Sequence, residues 1–443
     1  VSADVRLATA VLLALLLALP SRAGAGLKVE RQTLPNGLRL ALAQQSAVPI
    51  VSLTCIVDGG ARVDPKDRPG LAGFTAALLE EGTATRTSQE IARLVDSLGG
   101  TLETAAATDW VSASSAVLSR DWDTGVELVA ESLLRPAFRA EDIERVRAET
   151  LGELQAAEDN PGYVAARAFR RALFGDGPYG HVVDGDPDSL RAITRDEVIA
   201  FHAGEIRPER TICVAVGDVP TERMRAVLTE RLGGWTAAGA PRPTVEVTPP
   251  APARVVVDKP ISQANVVVGQ IGVARTDPDY FPILLMNHAL GGGGFTSRLM
   301  RTIRTEGGLA YSVDSSFSST RLPGPFQVVL QTKVESTGEA LALVHREIRR
   351  LHDEGVTEAE LDQAKAFLTG SFPLRLDSIT KLASFLAQVE YFGLGDDYIE
   401  RYAERVGAVT VADAAKAARE HLDPDGLVEV IVGPEQTIAP QLE

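Results

Sequence analysis

Cysteine is almost missing from this chain: Cys55 and Cys213 are the only two in 443 residues. With six histidines beside them, they offer no local cluster for a metal or other cofactor. Each sits in an apolar, strand-like run (SLTCIV and TICVAV), where cysteine behaves as a small buried hydrophobe. A disulfide between them is permitted, and sequence alone does not decide it. Positive charge is also short, with 44 Lys+Arg against 60 Asp+Glu and a net charge of −16. Such a chain repels phosphate backbones and anionic lipid, which argues against a nucleic-acid partner. Long apolar stretches are lacking too. Residues 7–19 are nearly all Ala, Leu and Val, too few to span a bilayer comfortably. Arg6 precedes this run, Pro20 ends it and Ala23-Gly24-Ala25 follows, so residues 1–25 read as an export signal. A periplasmic or secreted protein without a stable membrane anchor is expected.

What is present is ordinary globular composition, 45% hydrophobic and 23% charged, in a chain long enough for two cores. The chain also repeats itself. Residues 193–218, ITRDEVIAFHAGEIRPERTICVAVGD, align without gaps on 409–434, VTVADAAKAAREHLDPDGLVEVIVGP. The pairing sets Thr194 on Thr410, Glu197 on Asp413, Pro208 on Pro424 and Gly217 on Gly433. FRAEDIERVRAETLG (138–152) matches VTEAELDQAKAFLTG (356–370), and SLGGTLET (97–104) matches TEGGLAYS (305–312). Three collinear blocks at similar offsets imply a duplication. Between the copies lies TAAGAPRPTVEVTPPAPA, Pro- and Ala-rich and without apolar periodicity, which reads as a linker over 236–253. The first domain is then 27–235 and the second 254–443.

Each copy opens on strand-like alternation (38–43 and 51–57; 254–257 and 265–271). Amphipathic helices follow, and a final strand closes the copy. From Ala140, residues Ile143, Val146, Leu151 and Leu154 share one apolar helical face. Strands and helices that do not alternate regularly point to an α+β fold, two homologous domains each with an antiparallel sheet packed against helices.

The motifs GLAGFTAALLEEGT, SLGGTLETAAATDW, AEDNP, GPYGHVVDGDPDSLRAIT and AVGD in the first domain resemble the pitrilysin/insulinase family of zinc peptidases. GGGGFTSRLMRTIRTEGGLAYSV in the second does so as well, and the resemblance covers nearly all the chain after residue 26. Active members carry H-x-x-E-H on the helix of the first motif. Two histidines four apart share a helical face and hold one zinc, and the glutamate polarises the bound water. Here those positions are Gly73, Ala76 and Ala77, none of which offers a lone pair or takes a proton. The family's third ligand corresponds to Glu153, and one carboxylate does not make a catalytic zinc site. No H-x-x-E-H or H-x-x-x-H occurs elsewhere, although residues distant in sequence could converge. No cofactor is therefore expected in this chain.

The second domain keeps a different half of the chemistry. Arg304 and Tyr311 resemble the family's Arg/Tyr pair, which binds substrate across the chamber from zinc. Arginine offers a fixed fork of donors for a peptide carbonyl, and tyrosine can donate to a developing oxyanion. The bland reading is a surface ion pair of Arg304 with Glu306, and Tyr311 packed in a strand. Gly291, Gly292, Gly293 and Gly294 precede the pair with no Gly-Lys-Ser/Thr after them, so this is no phosphate loop. Zinc-less members of the family carry a glycine-rich loop that handles substrate; a plain flexible turn is the alternative. The run 101–108, TLETAAAT, matches the family strand whose edge captures peptide, and a close-packed inner strand is its alternative.

The resemblance implies the zinc-less subunit of a heterodimer, like the mitochondrial-processing-peptidase-like pairs of bacteria. An H-x-x-E-H partner would bring zinc, this chain would bring Arg304 and Tyr311, and an unfolded peptide would be the substrate. Alone, the chain is expected to be inactive. The other reading is a non-enzymatic scaffold or peptide-binding protein of the same fold.

Overall fold

The computed structural model describes residues 27–236, 242 and 245–442. The expected export signal, residues 1–25, and residues 237–241, 243 and 244 of the expected linker lie outside the described residues.

The alternating and β-branched runs form two sheets. The first contains β1 (Glu30–Thr33), β2 (Arg39–Gln44), β3 (Ile50–Asp58), β4 (Thr101–Ala106), β5 (Trp110–Leu118) and β6 (Thr211–Gly217). The second contains β7 (Ala253–Asp258), β8 (Gln263–Ile271), β9 (Ala310–Phe317), β10 (Pro325–Lys333) and β11 (Val428–Gly433). Their orders, β1-β2-β6-β3-β5-β4 and β7-β11-β8-β10-β9, are the same once β1 is set aside. The sheets are antiparallel except for one parallel pair each, β2 with β6 and β7 with β11. Those pairs arise because the closing strand of each copy returns through helices before inserting beside the opening strand. The matched segments TICVAVGD and LVEVIVGP thus occupy the same place in both sheets.

Helices α1 (Leu71–Leu78), α2 (Ser88–Leu98), α3 (Trp122–Leu134), α4 (Ala140–Glu158), α5 (Pro161–Phe174), α6 (Pro187–Ala192), α7 (Arg195–Glu205) and α8 (Thr221–Leu232) belong to the first copy. The second has α9 (Tyr280–Asn287), α10 (Thr337–Glu354), α11 (Glu358–Ser371), α12 (Ile379–Phe392), α13 (Tyr398–Ala408), α14 (Val411–His421) and α15 (Glu435–Ile438). The aligned Thr194/Glu197 and Thr410/Asp413 turn out to be capping boxes that start α7 and α14. On α4, Ile143, Val146 and Leu154 are buried and Leu151 is half-buried against the same core.

Strands β6 and β11 are buried along their whole lengths, so each sheet must be covered on both faces. On one face each sheet packs its own helices. The other face is covered reciprocally. From the second copy, α12 lays Ile379, Leu382, Ala383, Leu386 and Ala387 on β2, β3 and β6. From the first, α5 lays Val164, Ala165, Phe169 and Leu173 on β8 and β11. Each buried Val, Leu, Ile or Phe among these contributes about 1.5–3 kcal/mol. A polar seam joins the two halves, where the Tyr391 hydroxyl donates to Asp58 at 2.7 Å, the Arg321 amide to Asp109 at 2.8 Å and the Leu322 amide to the Tyr179 hydroxyl at 3.0 Å. Cys55 and Cys213 lie directly opposite each other on β3 and β6 and form a disulfide.

A candidate peptide-gripping site

The helix that carries Gly73, Ala76 and Ala77 is α1. Gly70 begins it in the left-handed region, φ 95°, and the buried Asp64 carboxylate accepts from the amides of Gly70 and Ala72 at 2.8 Å each. His181 Nε2 lies 3.1 Å from the same carboxylate, so this histidine is engaged in holding the helix start. The three degenerate positions have been absorbed into packing. A Cβ on Gly73 would stand 2.5 Å from the Val183 carbonyl oxygen. Ala76 is fully buried and its carbonyl accepts from the Thr104 hydroxyl at 2.8 Å. Ala77 packs half-buried against the core, while Glu153 is exposed on α4. This donor set does not fit zinc.

The other histidines have ordinary surroundings. His202 meets the Leu133 carbonyl, His345 pairs with Glu429 and His352 with Asp353. His288 packs its ring 5.0 Å from that of Phe367. His421 joins Asp277 and Asp279 in the one group of three potential metal ligands among the described residues. A His421–Asp279 bond and an Asp279 amide bond to Asp277 already account for that group.

The second domain arranges its site around two π-helical turns, residues 288–292 and 300–306, between α9 and β9. Such turns are rare, and they collect at functional sites. The glycine run, which closes the first of these turns and continues past it, is tightly packed where a plain flexible turn would be loose. A side chain on Gly291 would strike Ser315 of β9, one on Gly292 the Asn287 amide, and one on Gly293 the His288 ring. Gly294 alone is open, with φ +58° and nothing near its missing Cβ. The turn after it is pinned from below. Arg298, 2% exposed, pairs with Glu360 at 2.6 Å and donates to the Gly355 carbonyl, and Thr302 donates to Glu347 at 3.2 Å. The Arg298 guanidinium and the Thr357 cap hold the Glu360 carboxyl down at about 2, against its partial burial.

This anchoring presents Arg304. Gly307 and Gly308 turn the chain back, so that Arg304 on the last π turn faces Tyr311 at the start of β9. Its guanidinium carbon is 4.6 Å from the ring centroid of Phe295 and 5.1 Å from that of Tyr311. It makes no ion pair and no side-chain hydrogen bond among the described residues, so the surface pair with Glu306 of the alternative reading is not formed. Tyr311 is 81% exposed and does not pack into the sheet. Five N–H donors thus stand free beside an exposed phenol, held in place by aromatic faces worth about 0.5–1 kcal/mol each.

In the first domain β4 is an edge strand, not an inner one. The Ala107 amide bonds inward to Trp110, so by alternation the amides of Leu102, Thr104 and Ala106 point away from the sheet. Beside them burial pushes the Glu80 carboxyl up to about 7, the Thr104 amide pulls it back, and the charges of Glu81 and Glu103 push it further.

Comparison with known proteins settles the lineage. Residues 39–185 match the insulinase (peptidase family M16) model and residues 192–368 the peptidase M16 inactive-domain model. An uncharacterised zinc protease of Mycobacterium tuberculosis is 30% identical over 419 residues, 94% of this chain and 95% of its own length. The chain belongs to peptidase family M16. Among M16 relatives, the Helicobacter pylori non-peptidase homolog YmxG is 26% identical, over 84% of this chain and 87% of that protein. The solved peptidase M16 inactive domain from Pseudomonas fluorescens superposes with a TM-score of 0.87 at 30% identity, covering 92% of this chain and 98% of that one. The structure brings Arg304, Tyr311 and the glycine run together, and it puts Glu153 at the surface. Phe295, Thr302, Glu347 and Arg298 were not singled out from sequence. A partial signal existed for Glu347, which lies 216 residues after Glu131, a second buried glutamate that accepts threonine hydroxyls.

Proposed function

We propose that this M16 chain is the zinc-less, substrate-gripping subunit of a two-chain peptidase, completing a partner's active site with Arg304 and Tyr311. One observation carries the reading. The guanidinium of Arg304 is held between two exposed aromatic rings with its donors unspent, while α1 has no group that can bind zinc. A stability role would have spent those donors on the protein itself. In the complex Arg304 donates to a peptide carbonyl, and the Tyr311 hydroxyl donates to the oxygen that gains charge. The partner's H-x-x-E-H helix supplies a zinc-activated water when loaded. The β4 edge, whose Thr104 amide is taken by Glu80, offers the outward amides of Leu102 and Ala106 to an extended stretch of the same unfolded peptide. The disulfide supports export to the periplasm or beyond, where such bonds persist. No described helix is long and apolar enough to cross a membrane.

The test is hydrolysis of a quenched peptide by this chain, by an H-x-x-E-H family member from the same source, and by the two mixed. Activity is expected only in the mixture, and it should drop in a mixture made with Arg304→Ala. A zinc-bearing partner that is equally active by itself would refute the reading. The scaffold alternative, compatible with the Helicobacter pylori relative's description as a non-peptidase homolog, expects the mixture to be no more active than the partner by itself.

A further inference from the structure

We infer that Phe295 is a specificity-determining residue that seats a bulky apolar side chain of the bound peptide beside the carbonyl gripped by Arg304. This rests on the peptide-binding reading above and adds the class of side chain selected.

Phe295 is 72% exposed and belongs to neither domain's apolar core. Its contact is the Arg304 guanidinium, 4.6 Å from the ring centroid. The preceding Gly294 has open space where a side chain would stand, which keeps the ring's surroundings clear. On the other flank Tyr311 lies 5.1 Å from the same guanidinium carbon. Two exposed rings and one fork of donors therefore make a single shelf, apolar at both ends and donor-rich in the middle. An extended peptide advances about 3.3 Å per residue. A peptide that gives one carbonyl to Arg304 consequently brings a neighbouring side chain within reach of Phe295. A large apolar group covers that ring and takes it out of water. A small residue leaves it wet, a cationic one is repelled by Arg304, and a carboxylate competes with the carbonyl for Arg304's donors. The preferred occupant is Phe, Leu, Met or Tyr.

The experiment measures fluorescence anisotropy of labelled ten-residue Gly/Ser peptides with Phe, Leu, Ala or Glu at one central position, bound to this chain. The Phe and Leu peptides should bind about five- to tenfold more tightly than the Ala peptide, which corresponds to roughly 1–1.4 kcal/mol. Phe295→Ala should bring that ratio to within about twofold, on top of a common loss of up to about fivefold for all four peptides because Arg304 loses one of its aromatic supports, and Phe295→Trp should keep the ratio. The inference is overturned if wild type does not discriminate, if Phe295→Ala leaves the ratio intact, or if it weakens every peptide equally. Arg304→Ala reports separately on gripping. It should weaken all four peptides together, and its failure to do so counts against the peptide-binding reading, not against the Phe295 ratio.

Discussion

Installing H-x-x-E-H on α1 should fail, and the reason is steric before it is chemical. Consider Gly73→Ala first. The new Cβ would lie 2.5 Å from the carbonyl oxygen of Val183, roughly 1 Å inside an ordinary contact. A backbone carbonyl does not rotate away as a flexible side chain does, so the upper part of the overpacking range applies, about 3 kcal/mol. Alanine recovers about 1 kcal/mol as the better helix former, leaving a net loss of about 2 kcal/mol. For a domain of this size that lowers the thermal midpoint by about 4–8 °C. The full graft, Gly73→His with Ala76→Glu and Ala77→His, adds a carboxylate at a fully buried position and should lose more. Differential scanning calorimetry gives the midpoints, and metal analysis after dialysis gives zinc per chain. The graft is expected to bind well under one zinc. One tightly held zinc per chain with an unchanged midpoint, or a neutral Gly73→Ala, would show that Val183 does not block the site.

Other consequences can be checked alongside. In the mixed peptidase Tyr311→Phe should lower kcat about 10²–10³-fold with little change in KM, because its hydroxyl is needed only as charge develops. Glu347→Ala leaves Thr302 without its buried acceptor and should destabilise the chain by about 1–3 kcal/mol, whereas Glu347→Gln should recover most of that in a urea melt. Removing the disulfide by Cys55→Ala with Cys213→Ala frees a loop spanning 158 residues and should cost up to about 5 kcal/mol on the loop-entropy estimate. Glu80 has a folded pKa raised to about 7, so its contribution is complete below its unfolded value of 4.5 and fades as pH climbs through 7. Stability from this group should therefore fall by about 1–2 kcal/mol between pH 5 and 8, after discounting for partial exposure, and Glu80→Gln should flatten that slope.

Much of this was legible because the chain was written twice. The Thr/acid pairs at 194/197 and 410/413 are capping boxes in both copies, and the closing strands fall in the same sheet position. That Gly73, Ala76 and Ala77 carry no metal-ligating side chain needed no coordinates, because groups without lone pairs cannot ligate. The reciprocal covering of each sheet by α5 or α12 was hidden, since an apolar helix face does not say which sheet it will meet. Whether β4 was edge or interior was equally hidden, because TLETAA is small and polar enough for either. Four glycines suggested freedom, yet three of them are crowded against Ser315, Asn287 and His288. Phe295 carried no pattern at all. A lone aromatic after glycines is indistinguishable from a core residue until its exposure is seen.

The central claim is that α1 cannot assemble a zinc centre and that this chain works on a peptide only with another polypeptide's metal. The most direct measurement is zinc-dependent hydrolysis of a quenched peptide by the purified chain alone, with bound zinc quantified in the same sample. Negligible turnover and no retained zinc are predicted. Stoichiometric zinc together with chelator-sensitive cleavage by the lone chain would contradict the account.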